Sequence, residues 1–263
     1  MKSKLFKRII SGLVLAGFII PVIIFSGETL ILILAFISLF ALWEFTGLTD
    51  MPKLYRILAL VWGGVIWASV MTGFKPMSFA VLTIPVIGIV VLFDKNAATT
   101  GMKVMSDWLL GIVYCVAPFL LCYFILFDGE HPYDWRMPLA IVLINYMSDT
   151  TAYLAGKYTG KRLFSPNISP RKTWEGAIGG FIGAWIMGIA VYLLAGEMRW
   201  NLLIITAIIS IFNQPGDLIE SVIKRGVNKK DSGNIIPGHG GILDRIDSLL
   251  TIFPIIYFYQ SFI

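Results

Sequence analysis

Long apolar runs with almost no charge inside them divide this sequence from end to end, and they leave few folds open. A helix needs about 20 predominantly apolar residues to cross a bilayer. Nine runs come within a few residues of that length: 8–26, 28–48, 56–73, 77–93, 107–127, 137–156, 174–195, 200–222 and 245–262. In hydrocarbon the backbone must satisfy its own hydrogen bonds, so each such run reads as a helix. Composition agrees: 57% of the 263 residues are hydrophobic and only 14% charged, against roughly half and a quarter in a soluble domain. The expectation is an all-α integral membrane protein with about nine transmembrane helices. Pro21, Pro85, Pro118, Pro215 and Pro254 fall inside the runs and predict kinks.

The placement of charge orients these helices. With the N-terminus in the cytoplasm, all but three of the 21 Lys and Arg residues fall in inside segments, the exceptions being Lys75, Arg136 and Arg199. That is the positive-inside bias of a membrane protein, and an odd number of spans then puts the C-terminus on the opposite side. The basic, apolar start reads as a first helix that stays, because no small-residue cleavage site follows it. Residues 1–136 supply about five helices with few polar groups, fit for scaffold, oligomer or lipid contacts. Residues 137–263 supply about four helices and two basic cytoplasmic loops, 157–173 and 224–244. Cys115 and Cys122 share one apolar run and read as small core residues, with neither zinc nor disulfide spacing. A short polytopic chain of this kind fits a bacterial inner membrane, and no nucleic-acid partner is expected.

Carboxylates inside membrane segments are rare, since each costs roughly 2.5–3.5 kcal/mol at a helix centre. Three places qualify as site candidates. In "NYMSDTTAYLAGK", Asn145, Asp149 and Tyr153 share a face at i, i+4, i+8. In "NQPGDLIESVIKR", Asp217, Ser221 and Lys224 line one face, with a helix break expected at Pro215–Gly216. Asp244 and Asp247 lie three apart at the start of the last run. All three places sit toward the cytoplasmic ends of their helices. Clustered carboxylates repel one another unless a cation joins them, and Mg²⁺ takes one or two carboxylates together with substrate phosphates. For any single Asp here the competing account is an ion pair with a neighbouring Lys or Arg.

The surrounding loops ask for an anion. Lys157, Lys161, Arg162, Arg171, Lys172, Lys224, Arg225, Lys229, Lys230 and Arg245 crowd the same side, partly the ordinary surplus drawn to anionic lipid. "PGHGG" adds backbone N–H groups able to approach phosphate oxygens at Gly240 and Gly241, ahead of a helix N-terminus. His239 is compatible with three roles: metal ligand, donor to phosphate or loop brace. Ser169 followed by Pro170 reads as an N-cap and first-turn proline opening the run at 174, with Thr173 and Glu175 as alternative braces. Arg171 and Lys172 then lie by the positive end of a helix dipole, which favours a bound anion there.

"SVIKRGVNKKDSGNIIPGHGGILDRID", Ser221 to Asp247, resembles the signature of the CDP-diacylglycerol synthases, also called phosphatidate cytidylyltransferases. "SDTTAYLAGKYTGKR" and "SPRKTWEG" are similar to that family's other cytoplasmic motifs. The resemblance covers roughly residues 145–250, so it carries no role for the first five helices. It implies condensation of CTP with phosphatidic acid to CDP-diacylglycerol and pyrophosphate at a membrane surface facing the cytosol. It also implies Mg²⁺, a second cation (K⁺ or another divalent) and a homodimer. Carried onto this chain, Asp217 and Asp244 are the first-choice metal ligands, with Asp149 and Asp247 next. Lys224 and Arg225 join Asp217, Asp244 and Asp149 as catalytic candidates. Ser169, Arg171, Lys172, Ser221, Lys230, His239, Gly240, Gly241 and Arg245 are the candidate contacts to CTP or the lipid head. A CTP-dependent lipid kinase is the nearest rival, with Asp149 as general base. An ion-coupled transporter is the more distant one, since such proteins bind at the bilayer midplane between repeated halves.

Overall fold

The computed structural model of the chain describes residues 20–24, 27–72, 79, 81–94, 97–127, 133–194, 200–233 and 240–262. Eight helices and one small hairpin make up most of these: α1 Gly27–Leu48, α2 Lys53–Met71, α3 Thr83–Leu92, α4 Ala97–Leu126, α5 Arg136–Thr159, β1 Leu163–Ser165, β2 Ser169–Thr173, α6 Trp174–Leu194, α7 Trp200–Gly226 and α8 Leu243–Gln260. Among the described residues, α1, α2, α4, α6 and residues Asn201–Gly226 of α7 are long and apolar enough to cross a membrane. The chain is therefore an all-α membrane protein. Helix α3 is apolar but has only 10 residues. Helices α5 and α8 fall where two further runs were expected, but each carries charge, Asp149 and Lys157 in one and Asp244, Arg245 and Asp247 in the other. The run 8–26 lies almost wholly outside the described residues.

Two local expectations change. Helix α4 begins at Ala97 rather than near 107, and its 30 residues span about 45 Å at the usual rise. That exceeds the hydrocarbon thickness, so the polar opening turns "AATTGMKVMSD" extend past it. Proline also acts less drastically than predicted. Helix α7 runs unbroken through Pro215 and Gly216, as a membrane helix packed among neighbours can tolerate a proline. Pro118 instead relaxes the turn before it, where Ile112–Val116 is π-helical and Ala117 N–H bonds Ile112 O. A proline ring clashes with the carbonyl four residues back, and widening that turn relieves the clash.

Packing sets where the site lies. Helix α5 packs on α6 and α7, α7 on α6 and α8, and α8 on the C-terminal part of α4. The α5–α6 contact is made by small residues. A Cβ added at Gly176 would lie 3.0 Å from Ala152 O, and one at Gly179 would lie 2.3 Å from Ala155 Cβ. Such close backbone approach is how membrane helices associate when lipid is as apolar as leucine. The opposite face of α6, with Ile178, Ile182, Ile186 and Ile189, is exposed and apolar, as a face fit for lipid would be. Leu42, Phe45, Trp108, Ile144, Ile205, Ile209 and Leu243 fill the interior.

Candidate active site

Helices α5, α7 and α8 and strand β2 enclose a cleft of about 850 Å³. Asp149, Asp217, Asp244 and Asp247 line it together with Lys157, Ser169, Arg171, Lys172 and Arg245. Four carboxylates from three helices thus face one space, together with cations from the hairpin and two helices. Asp247 lies in the electrostatic field of Asp217 and Asp149, and Asp149 in that of Asp217, Lys172 and Arg245.

A buried amide network holds the three helices in register. Asn213 Nδ2 donates to Asn145 Oδ1 at 2.8 Å, Asn145 Nδ2 donates to Ser248 Oγ at 3.2 Å, and Gln214 Nε2 donates to Asn213 Oδ1 at 3.0 Å. Asn145 and Asn213 are buried, so each amide needs these partners to offset its desolvation. Above the network Lys172 Nζ pairs with Asp217 Oδ2 at 2.8 Å and donates to Gln214 O at 3.1 Å. Ser221 Oγ donates to Asp217 Oδ1 at 3.5 Å from beneath the cleft. Asn213 and Gln214 precede the Asp217 motif and were not singled out from sequence. Their position four and three residues ahead of a membrane aspartate was the available signal.

Asp244 is gripped from two sides. Its Oδ1 accepts from Lys224 Nζ at 2.6 Å, and its Oδ2 accepts from the backbone N–H groups of Gly241 at 3.0 Å and Ser232 at 3.2 Å. Gly240 stands at φ +88°, and a Cβ there would lie 2.8 Å from Asp244 Oδ2. Glycine is therefore required both for the backbone angle and for the carboxylate. Lys224 also pairs with Glu220 Oε2 at 2.5 Å. Glu220 is fully buried, and nothing in the motif reading singled it out.

Other predicted residues fall around the cleft rather than in it. Lys224 and Ser221 are buried beneath it, Gly240 and Gly241 support Asp244, and Lys230 is exposed on the turn after α7. Arg225 bridges the hairpin and that turn, with Nε donating to Ile168 O at 3.4 Å and an Nη to Lys229 O at 3.1 Å. Ser169 is not an N-cap. It opens strand β2, and Thr173 caps α6 instead, its Oγ1 accepting from Gly176 N–H at 3.1 Å. The hairpin pairing of 163–165 with 169–173 keeps Pro170 out of the helix. Glu175 braces the chain end of α5 by accepting from the Lys161 and Arg162 N–H groups. His239 lies outside the described residues.

The arrangement suits a polyanion that arrives with a metal. Acids and bases line the same space, so a polyphosphate would meet both cations and carboxylates there. Comparison with known proteins agrees. Residues 6–263 match the cytidylyltransferase family. The chain is 33% identical over 263 residues to a phosphatidate cytidylyltransferase of Staphylococcus haemolyticus, covering 95% of this chain and 96% of that one. It is 42% identical over 139 residues to a protein of that name in Bacillus subtilis, about half of each chain (52% and 51%). Over 150 residues, 56% of each chain, it is 43% identical to another from Staphylococcus aureus. With a family match that runs nearly end to end and a relative aligned over almost its whole length, the chain belongs to the cytidylyltransferase family.

Proposed function

We propose that the protein is a phosphatidate cytidylyltransferase, joining CTP to phosphatidic acid to form CDP-diacylglycerol and pyrophosphate. The observation that carries this is the cleft itself, where Asp149, Asp217 and Asp247 face Arg171, Lys172 and Arg245 in a chain of this family. A phosphate oxygen of the lipid attacks the α-phosphorus of CTP, one P–O bond forms, and the bond to pyrophosphate breaks. The nucleophile is already an anion, so no strong base is needed. The barrier is the approach of two anions, which orientation and positive charge lower.

Mg²⁺ fits the donor set. Among the described residues no three His, Cys, Asp or Glu side chains converge to hold a metal by themselves. Mg²⁺ does not require that, because one or two carboxylates and the substrate's phosphates satisfy it. Asp217 would hold it, with Asp149 or Asp247 beside, and it would neutralise charge on the triphosphate. Asp217 and Asp244 would each exchange a lysine for the metal, Lys172 in the one case and Lys224 in the other, since the oxygens of both accept from protein donors. A second cation, K⁺ or another divalent, has the remaining carboxylates of the same cleft to draw on. Arg171, Lys172 and Arg245 orient the phosphates, and the exposed aromatic side chains of Tyr146 and Tyr153 border the same opening.

In this proposal the protein spans the membrane nine times, with a cytoplasmic N-terminus, a site facing the cytosol of a bacterial cell, and two chains in the working unit. The overlap of eight described helices with eight of the nine apolar runs supports the span count. The test uses purified protein, phosphatidic acid, Mg²⁺ and CTP labelled at the α or the γ phosphorus. Label from the α position is expected in the lipid, with γ label leaving as pyrophosphate. Lipid labelled from γ alone means a kinase and rejects the proposal.

A further inference from the structure

Helix α1 belongs to the half of the chain that the sequence assigns to scaffold, yet one of its side chains reaches the glycine loop. Glu44 is 5% exposed. Its Oε2 accepts from Leu243 N–H at 2.8 Å and from Ser232 Oγ at 3.4 Å. Glycines close around this carboxylate. A Cβ at Gly241 would lie 2.5 Å from Oε2, and one at Gly233 would lie 2.8 Å from Oε1. Glycine at 241 therefore has a reason besides access to phosphate: any side chain there collides with Glu44.

The contacts form a relay to the site. Leu243 is the first residue of α8, and its N–H is one of the donors that a helix start leaves without an intrahelical acceptor. A carboxylate there is also favoured by the helix dipole. Asp244 follows directly, and Ser232 links the two acids, giving its Oγ to Glu44 and its N–H to Asp244 Oδ2. The same end of α1 holds the loop a second time. Lys229 Nζ donates to Gly47 O at 3.3 Å and Leu48 O at 2.8 Å, and pairs with Asp50 Oδ1 at 2.7 Å.

We propose that Glu44 is a positioning residue for the transfer reaction: it fixes the start of α8 and the turn at Gly240–Gly241 against α1, so that Asp244 and Arg245 meet CTP in a set geometry. This rests on the function proposed above, so the test pairs a readout that depends on that function with one that does not. Hydrogen exchange and steady-state kinetics are measured on the full-length protein in detergent, for wild type, Glu44→Ala and Glu44→Gln. In Glu44→Ala the amides of 229–233 and 240–246 exchange faster while those of α5 do not change. The KM for CTP rises about tenfold, the scale of one lost charge-assisted hydrogen bond, and the KM for phosphatidate stays put. Glu44→Gln keeps an oxygen for Leu243 N–H and falls between the two.

Unchanged exchange at 229–233 and 240–246, faster exchange spread over the whole chain, or an unchanged KM for CTP overturns the proposal. Where the alanine variant does not fold, Glu44→Gln decides on the same criteria. If wild type transfers no cytidylyl group, the proposed function fails and the exchange pattern alone decides whether Glu44 braces the loop.

Discussion

The ion pair of Lys172 with Asp217 is partly open to solvent, its side chains 15% and 39% exposed, whereas Lys224 and Glu220 are 10% and 0% exposed. An exposed pair contributes about 0–1 kcal/mol. Breaking a buried one by removing a partner costs about 3–5 kcal/mol, because a charge is left without compensation. Lys172→Met should therefore lower turnover sharply and leave the melting temperature in detergent almost unchanged. Lys224→Met should lose folded protein before activity can be measured, since it strands Glu220 and Asp244 together. Equal thermal stability of the two variants would contradict this division between a lysine that serves the cleft and one that holds it up. Asp149, Asp217, Asp244 and Asp247 were visible in the sequence as acids in apolar surroundings. Glu44 and Glu220 were as apolar in context, but no motif marked them. Glu44 meets Leu243 across 199 positions of sequence, and local pattern holds no record of such a contact.

At the scale of elements, the length of the apolar runs placed most described helices within a few residues, apart from the early start of α4 and the shorter α3, which begins at Thr83 rather than near 77. The hairpin 163–173 was missed because its strands are three and five residues long, too short to show alternation. Pro170 was taken as a helix opener, when the same residue sits equally well on the edge of a short strand. The small-residue seam between α5 and α6 gives a test of packing. Gly179→Ala forces a methyl to within 2.3 Å of Ala155 Cβ and should destabilise by about 1–3 kcal/mol. Adding Ala155→Gly should recover most of the loss in detergent melting, because the methyl merely changes sides of the seam. No recovery in the double variant would mean that these two positions do not meet.

For the whole molecule, a polar cleft must admit CTP from water while its lipid partner arrives from the bilayer. The proposed topology puts that entrance, with the hairpin beside it, on the cytoplasmic side, as the positive-inside bias expects. Cys115 and Cys122 are buried, so a single cysteine at the exposed turn position Asn167 reports alone. Asn167→Cys should react with a membrane-impermeant maleimide in inverted vesicles and not in intact cells. The reverse pattern would turn the topology over.

The central claim is that this cleft, with Asp217 in its lining, transfers the cytidylyl group. Cytidylyl transfer from CTP to phosphatidate should be measured for wild type and Asp217→Asn side by side, with melting in detergent as the control for folding. The variant should fold while its turnover falls at least about a hundredfold, the scale on which losing an electrostatic group at the reacting centre acts. A folded Asp217→Asn protein with near wild-type turnover would contradict it.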